Sequence, residues 1–199
     1  MIDKTVLTIA NALADIEDGA TVSVAGFGAA GSPIELLHAL IDHGATDLTI
    51  VNNNAGSGEV GLAALIASGQ VAKIICSYPR SAGSVVFPDL FRAGKIDLEV
   101  VPQGTLAERL RAAGAGIPAF FTPTSVGTPL AKNKEVREFD GKPYVMEHWL
   151  PTDIALVKAD IADTHGNLTY NMTARNFAPV MCMAAKITIV QARKVVDAG

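Results

Sequence analysis

The chain has 199 residues, 49% of them apolar, and its 16 Lys and Arg against 20 Asp and Glu leave a formal net charge of −4. One α/β domain with a buried core, spanning residues 1–199, suits that length; the acidic balance and scattered basic residues exclude a nucleic-acid surface, and the lack of any apolar run of about 18 residues excludes a membrane-spanning helix. Charged Asp3, Lys4 and Asp15 break up the N-terminal stretch, and Cys76 and Cys182 stand far apart without metal-ligand spacing, so the expectation is a cytoplasmic protein with reduced thiols, no signal peptide and no metal.

In chain order, Val6, Ile9, Leu13 and Ile16 recur at helical spacing and predict an amphipathic first helix. Residues 20–25 (ATVSVA) form the first apolar strand and run into the glycine loop Gly26-Phe27-Gly28-Ala29-Ala30-Gly31. Ser32 as N-cap, Pro33 at the first helical position and Gly44 as the stop bracket the next helix. DLTIV (47–51) predicts the second strand, ending in Asn52-Asn53-Asn54-Ala55-Gly56-Ser57-Gly58; GEVGLAALIASG (58–69) is a helix and AKIICSY (72–78) a strand. A helix near Pro88–Ala93, the strand IDLEVV (96–101) and the helix TLAERLRAAG (105–114) follow. Residues 116–130 (GIPAFFTPTSVGTPL) read as a turn-rich loop, whereas KEVREFDGKPYVMEHW (134–149) alternates around Asp140-Gly141, a strong hairpin signal. DIALVKA (153–159), GNLTY (166–170) and KITIVQA (186–192) return to core strands, with ARNFAPVMCMAAK (174–186) as a helix between the last two. The expected fold is therefore α/β: an open, mostly parallel sheet covered by helices on both faces, with a β-hairpin insertion.

The loop after the first strand spells G-x-G-x-x-G, which raises a dinucleotide site. Such a unit also needs an acid at the end of the second strand, about 20 residues on, to hold the ribose. Here that strand ends in asparagines, and Asp47 stands at its beginning, so the fingerprint fails in its context. Two comparable loops, NNNAGSG (52–58) and PQGT (102–105), also follow predicted strands. Ligands of open α/β sheets bind at that carboxyl edge, and glycine-rich loops there present backbone N–H groups to an anion or a developing oxyanion. Asn53, Asn54 and Gln103 add neutral amides that can bind and polarise a carbonyl but cannot act as nucleophile or base. No Ser or Cys stands in a nucleophile-elbow context. The four histidines are dispersed, with His38 and His43 reading as helix-surface or helix-end residues, and Glu59 reads as an acid at a helix N-terminus. These features describe half of an active site.

DGATVSVAGFGAAGSP (18–33) resembles the N-terminal signature of family I coenzyme A transferases, and NNAG (53–56), PQGTLAER (102–109), GAGIPAFFTPT (114–124), KEVREFDGKPYV (134–145) and TARNFAPVMCMAAK (173–186) resemble further blocks in family order. Nearly the whole chain is covered, on the side of the family's α half. The resemblance implies a ping-pong exchange of coenzyme A between an acyl-CoA, commonly succinyl-CoA, and a 3-oxoacid, through a glutamyl-CoA thioester. It implies that the glutamate nucleophile belongs to a partner β subunit, that this chain holds no catalytic residue of its own, and that coenzyme A is a substrate rather than a resident cofactor. The substrate-binding set it implies is Gly26, Phe27, Gly28, Gly31, Asn53, Asn54, Ala55, Gly56, Gln103 and Gly104. CSYPRSAGSVVF (76–87) and FRAGKIDLEVVPQG (91–104) resemble the family's 3-oxoadipate branch more than its acetoacetate branch. Arg80 would then take the distal carboxylate of that dicarboxylic acid. Two other readings stand beside this one: a non-catalytic acyl-CoA-binding or regulatory subunit, and a sugar-phosphate isomerase-like enzyme using Glu59 or Glu108.

Overall fold

Short Val- and Ile-rich runs separated by helical segments need apolar cover on both faces, and they receive it. In the computed structural model, which describes residues 2–198, the first half runs α1 (Ile9–Leu13), β1 (Thr21–Val24), α2 (Ile34–His43), β2 (Leu48–Val51), α3 (Leu62–Ala67), β3 (Val71–Cys76), α4 (Val86–Arg92), β4 (Asp97–Val100) and α5 (Gln103–Gly114). Then come β5 (Ala119–Thr122), β6 (Val136–Phe139), β7 (Lys142–His148), β8 (Thr152–Asp163), β9 (Leu168–Thr169), α6 (Ala178–Ala184) and β10 (Ala185–Val196). The main sheet has the order β10-β8-β1-β2-β3-β4, all parallel, with β9 antiparallel on β8. Strands β1 to β4 are added in one direction and β8 and β10 in the other. The order therefore reverses between β1 and β8, which is where ligands of open α/β sheets bind.

Side chains alternate between two cores. Val22, Val24 and Ile50 pack with Leu36, Leu37, Leu40 and Leu65 from α2 and α3, while Ala25, Val51 and Val157 pack with Leu106, Leu110 and Met181 from α5 and α6. Each fully buried leucine contributes about 1.5–3 kcal/mol. Buried Gln70 closes the end of α2: its Nε2 donates to Leu40 O at 3.1 Å and Ala45 O at 2.9 Å, and its Oε1 accepts from Ser68 Oγ at 2.6 Å. Gln70→Leu leaves Ala45 O without a donor among the described residues and Leu40 O with only Gly44 N, at 3.3 Å, and is expected to cost about 1–3 kcal/mol, read as a lower urea midpoint at unchanged m-value.

A second sheet, β5-β7-β6, is antiparallel. Its β6–β7 turn has Asp140 at φ 50° and Gly141 at φ 72°, the positive pair that a two-residue hairpin turn demands. The segment expected to be a loop contains β5, because Ala119–Thr122 pairs with β7 from His148 to Val145. The first helix is shorter than its apolar spacing predicts: Thr8 Oγ1 accepts from Asn11 N and starts the helix at Ile9, leaving Val6 exposed. Ser32 does not cap α2; Pro33 occupies the N-cap position with no side-chain bond. GNLTY contributes only the two residues of β9, because Asp163 Oδ1 accepts from His165 and Asn167 N–H and folds the chain straight back onto β8. The PQGT segment is not a loop, since α5 begins at Gln103.

Candidate functional site

Four chain segments meet at the carboxyl edge beside the order reversal. The glycine loop leaves β1 and closes a tight turn, with Phe27 N donating to Ala30 O at 3.0 Å and Ala30 N to Phe27 O at 3.3 Å. At the tip, the N–H groups of Gly28 and Ala29 make no hydrogen bond among the described residues. Asn52 directly follows β2 and ties the β1 end to its own loop: its Nδ2 donates to Val24 O at 2.6 Å and its Oδ1 accepts from Asn54 N at 2.8 Å. Asn54 Oδ1 in turn accepts from Gly56 N at 2.8 Å. Gly56 has φ +76°, and a Cβ there would lie 2.7 Å from Ala63 N, so only glycine lets this loop settle on α3. The segment after β3 is stitched to it by Ser84 Oγ donating to Gly56 O at 2.8 Å and Gly58 N donating to Gly83 O at 3.1 Å.

Between these loops lies a cleft of about 90 Å³ lined by Gly28, Ala29, Ser32, Ile34, Asn52, Asn54, Gly56, Ser57, Val60 and Leu62. None of the lining side chains is ionisable. A self-sufficient ligand pocket measures roughly 300–1,000 Å³, so this cleft is a wall that another surface must complete. Beside it, Asn53 is nearly buried, and its Oδ1 accepts from both Gln103 Nε2 and Ser77 Oγ at 2.7 Å. That leaves Asn53 Nδ2 and Gln103 Oε1 as the uncommitted ends of the network among the described residues.

Of the residues singled out from the sequence, Gly28, Asn54 and Gly56 line the cleft. Gly26 and Phe27 belong to the same loop, with the Phe27 ring half exposed. Gln103 and Gly104 form the first turn of α5 at the same edge. Arg80 is exposed, in the segment after β3, with no side-chain hydrogen bond or ion pair among the described residues. Ala55 is buried in the core, and Gly31 packs against Ala174 and Asn176. Asn52, Ser77 and Asn176 escaped sequence reading. Asn176 Oδ1 accepts from Gly26 N across 150 residues of chain, a pairing that no local spacing encodes.

Other reactive groups are engaged elsewhere. Glu59 is exposed ahead of α3 rather than in its first turn, because the helix begins only at Leu62. Glu108 is paired with Arg111 at 2.7 Å on α5, which holds its carboxyl below the usual range. His38 Nε2 accepts from Gly61 N at 3.0 Å. Burial pushes the Cys76 thiol up to about 12, so it is not a nucleophile at neutral pH. Among the described residues no group of three or more His, Cys, Asp and Glu could hold a metal ion, and no helix is long and apolar enough to cross a membrane.

Comparison with known proteins finds that the family model described as coenzyme A transferase matches residues 6–199. The A subunit of 3-oxoadipate CoA-transferase from Pseudomonas putida is 58% identical over 199 residues, covering 100% of this chain and 86% of that protein. The A subunit of a probable succinyl-CoA:3-ketoacid coenzyme A transferase from Bacillus subtilis is 48% identical over 184 residues, 92% of this chain and 76% of that one. Among solved structures, an acyl-CoA transferase from E. coli O157:H7, in a thioester complex with CoA, superposes with a TM-score of 0.82 at 25% identity. The superposition covers 98% of this chain and 43% of that longer chain.

Proposed function

The chain belongs to the coenzyme A transferase family, and we propose that it is the A subunit of an enzyme moving coenzyme A from succinyl-CoA to 3-oxoadipate, with a B subunit supplying the glutamate nucleophile. The observation that carries this reading is a cleft beside the sheet's order reversal whose lining includes amides and backbone N–H groups unbonded among the described residues, but no ionisable side chain. Such a wall can bind an acyl carbonyl and stabilise the charge that develops on it; it cannot attack it. The relatives named as A subunits support a split site.

In this reading the partner's carboxylate attacks the thioester carbonyl, and the resulting oxyanion lies against the N–H groups of Gly28 and Ala29. Collapse breaks the C–S bond, leaving an acyl-glutamyl anhydride and the CoA thiolate. The thiolate then attacks the glutamyl carbonyl, expelling succinate and leaving a glutamyl-CoA thioester. The 3-oxoadipate carboxylate reverses these two steps and leaves as its CoA thioester. Covalent catalysis thus divides one difficult exchange into easier ones. Anhydride and thioester both hydrolyse, so closing the shallow cleft with the B subunit protects them from water.

Arg80 is the residue proposed to select the acceptor, since its guanidinium is exposed and, among the described residues, uncommitted in the segment that follows β3 at this edge. Arg80→Ala is expected to raise KM for 3-oxoadipate about 10- to 100-fold, the worth of one or two charge-assisted hydrogen bonds. Acetoacetate, which lacks the distal carboxylate, should change by less than about threefold. Equal losses for the two acceptors would remove Arg80 from specificity.

The whole reading is tested by co-expressing the chain with a candidate B subunit, then assaying succinyl-CoA with 3-oxoadipate and with acetoacetate, with either chain by itself as control. Transfer only by the pair supports the split site. A pair that co-purifies and binds acyl-CoA without transferring it points to a binding or regulatory role instead. Activity of this chain alone would require an acid or base in the cleft.

A further inference from the structure

One side chain holds the glycine loop from behind. Asn176 precedes α6, and its Oδ1 accepts from Gly26 N at 3.0 Å and from Phe177 N at 2.7 Å. Its Nδ2 donates to Ala30 O at 3.1 Å and to Ala174 O at 2.9 Å. Gly26 and Ala30 are the two ends of the loop whose tip carries the free N–H groups of Gly28 and Ala29. A single amide therefore ties both ends to a segment 150 residues away.

Two independent features show that the fold makes room for this clamp. Asn176 has φ 25° and ψ −122°, a backbone conformation that persists in a non-glycine residue only where the surroundings hold it. Opposite it, Gly31 sits at φ +72° where a Cβ would lie 2.3 Å from Ala174 O and 2.7 Å from Asn176 Nδ2. The loop thus lacks a side chain at the point where the asparagine turn enters.

We propose that Asn176 is a positioning residue for the transfer reaction, an inference that rests on the transferase reading above. It fixes the pose of residues 26–30 so that the Gly28 and Ala29 N–H groups meet the oxygen of the tetrahedral intermediate. It touches no reacting atom. Donors already aimed at the developing charge need no reorganisation when the charge appears. Released at Gly26 and Ala30, the tip can shift by an ångström, and a misplacement of that size costs about 100-fold in rate.

The test compares wild-type, N176A and N176D chains, each assembled with the B subunit, by size-exclusion chromatography, thermal melting, and kcat and KM with succinyl-CoA and 3-oxoadipate. For N176A, kcat is expected to fall about 10- to 100-fold, with KM for succinyl-CoA within about threefold of wild type. N176D is nearly isosteric and stands in where the alanine variant does not assemble. Ionised, it accepts from Gly26 N but offers nothing to Ala30 O; protonated, it can donate to that carbonyl. Its kcat relative to wild type is therefore expected to rise as the pH is lowered toward the carboxylate range. A merely structural asparagine would lower melting temperature and assembly without separating kcat from KM and without pH-dependent rescue. That pattern, or unchanged kcat in N176A beside an active wild-type pair, overturns this inference alone. A wild-type pair that transfers nothing overturns the transferase reading and this inference together.

Discussion

Gly31→Ala is expected to destabilise the protein by about 2–5 kcal/mol. Part of that is backbone: φ +72° costs an L-residue about 1–2 kcal/mol. The remainder is collision, because the added Cβ would lie 2.3 Å from Ala174 O, a main-chain atom that cannot rotate away, and overpacking of this kind costs about 1–3 kcal/mol. For a chain of this length each kcal/mol moves the melting temperature by about 2–4 °C, so the fall should be about 4–20 °C by calorimetry. Gly28→Ala is the matched control: φ is +61°, but nothing lies within 4 Å of its Cβ. It should show the backbone cost alone, a shift of only a few degrees. The functional order need not follow the stability order, since Gly28 lines the cleft while Gly31 acts through the turn that carries Asn176. Equal melting temperatures for the two variants would mean that the loop and the Ala174–Asn176 turn are not in the described contact.

The parallel core was legible because its signals are local. ATVSVA, DLTIV and AKIICSY are β-branched runs, bounded by glycine and asparagine, and the helices between them have the right length and apolar spacing. The Asp140-Gly141 turn was equally plain, since both positions need positive φ. What stayed hidden depends on partners distant in sequence. β5 looks like a loop, with Pro118 before it and Pro123 after it, and becomes a strand only by pairing with β7. Val6 has helical spacing to Leu13, but Thr8 can accept from Asn11 N and begins the helix later. In the site, glycines and asparagines at strand ends were readable from type and place. The division of labour among them was not: Ala55 faces the core, Asn53 Oδ1 is spent on Gln103 and Ser77, and Asn176 reaches Gly26 only in the folded chain. Hydrogen-bond partners at such separations leave no periodicity to read.

Lys134→Met is expected to cost about 2–4 kcal/mol, and the reason lies in Glu147 rather than in the lysine. Glu147, on β7, has a side chain only 3% exposed, and its Oε1 accepts from Lys134 Nζ at 2.5 Å. Both line a cavity of about 300 Å³, together with Glu99, Arg109 and His148, between α5 and the antiparallel sheet. Removing one partner of a buried pair costs about 3–5 kcal/mol, because the other charge is left uncompensated; the lysine side chain is 33% exposed, which reduces the figure. Arg109 cannot replace it. Its Nη1 donates to Glu99 at 2.8 Å and its Nε to His148 O at 2.8 Å. Burial raises the Glu99 carboxyl, but hydrogen bonds from Arg109 and Lys73 outweigh that and hold it below its ordinary value, so the arginine is firmly engaged. Methionine keeps most of the lysine stem's apolar packing, which isolates the charge. The melting temperature should therefore fall by about 5–15 °C, and Lys134→Met combined with Glu147→Leu should recover most of the loss, because an apolar pair can replace a buried ion pair at little cost. If the double variant remains as unstable as the single one, the cost resides in packing rather than in the stranded carboxylate. Below the transition, transfer by the assembled enzyme should stay within about threefold of wild type, since this cavity shares none of its lining residues with the cleft beside the glycine loop.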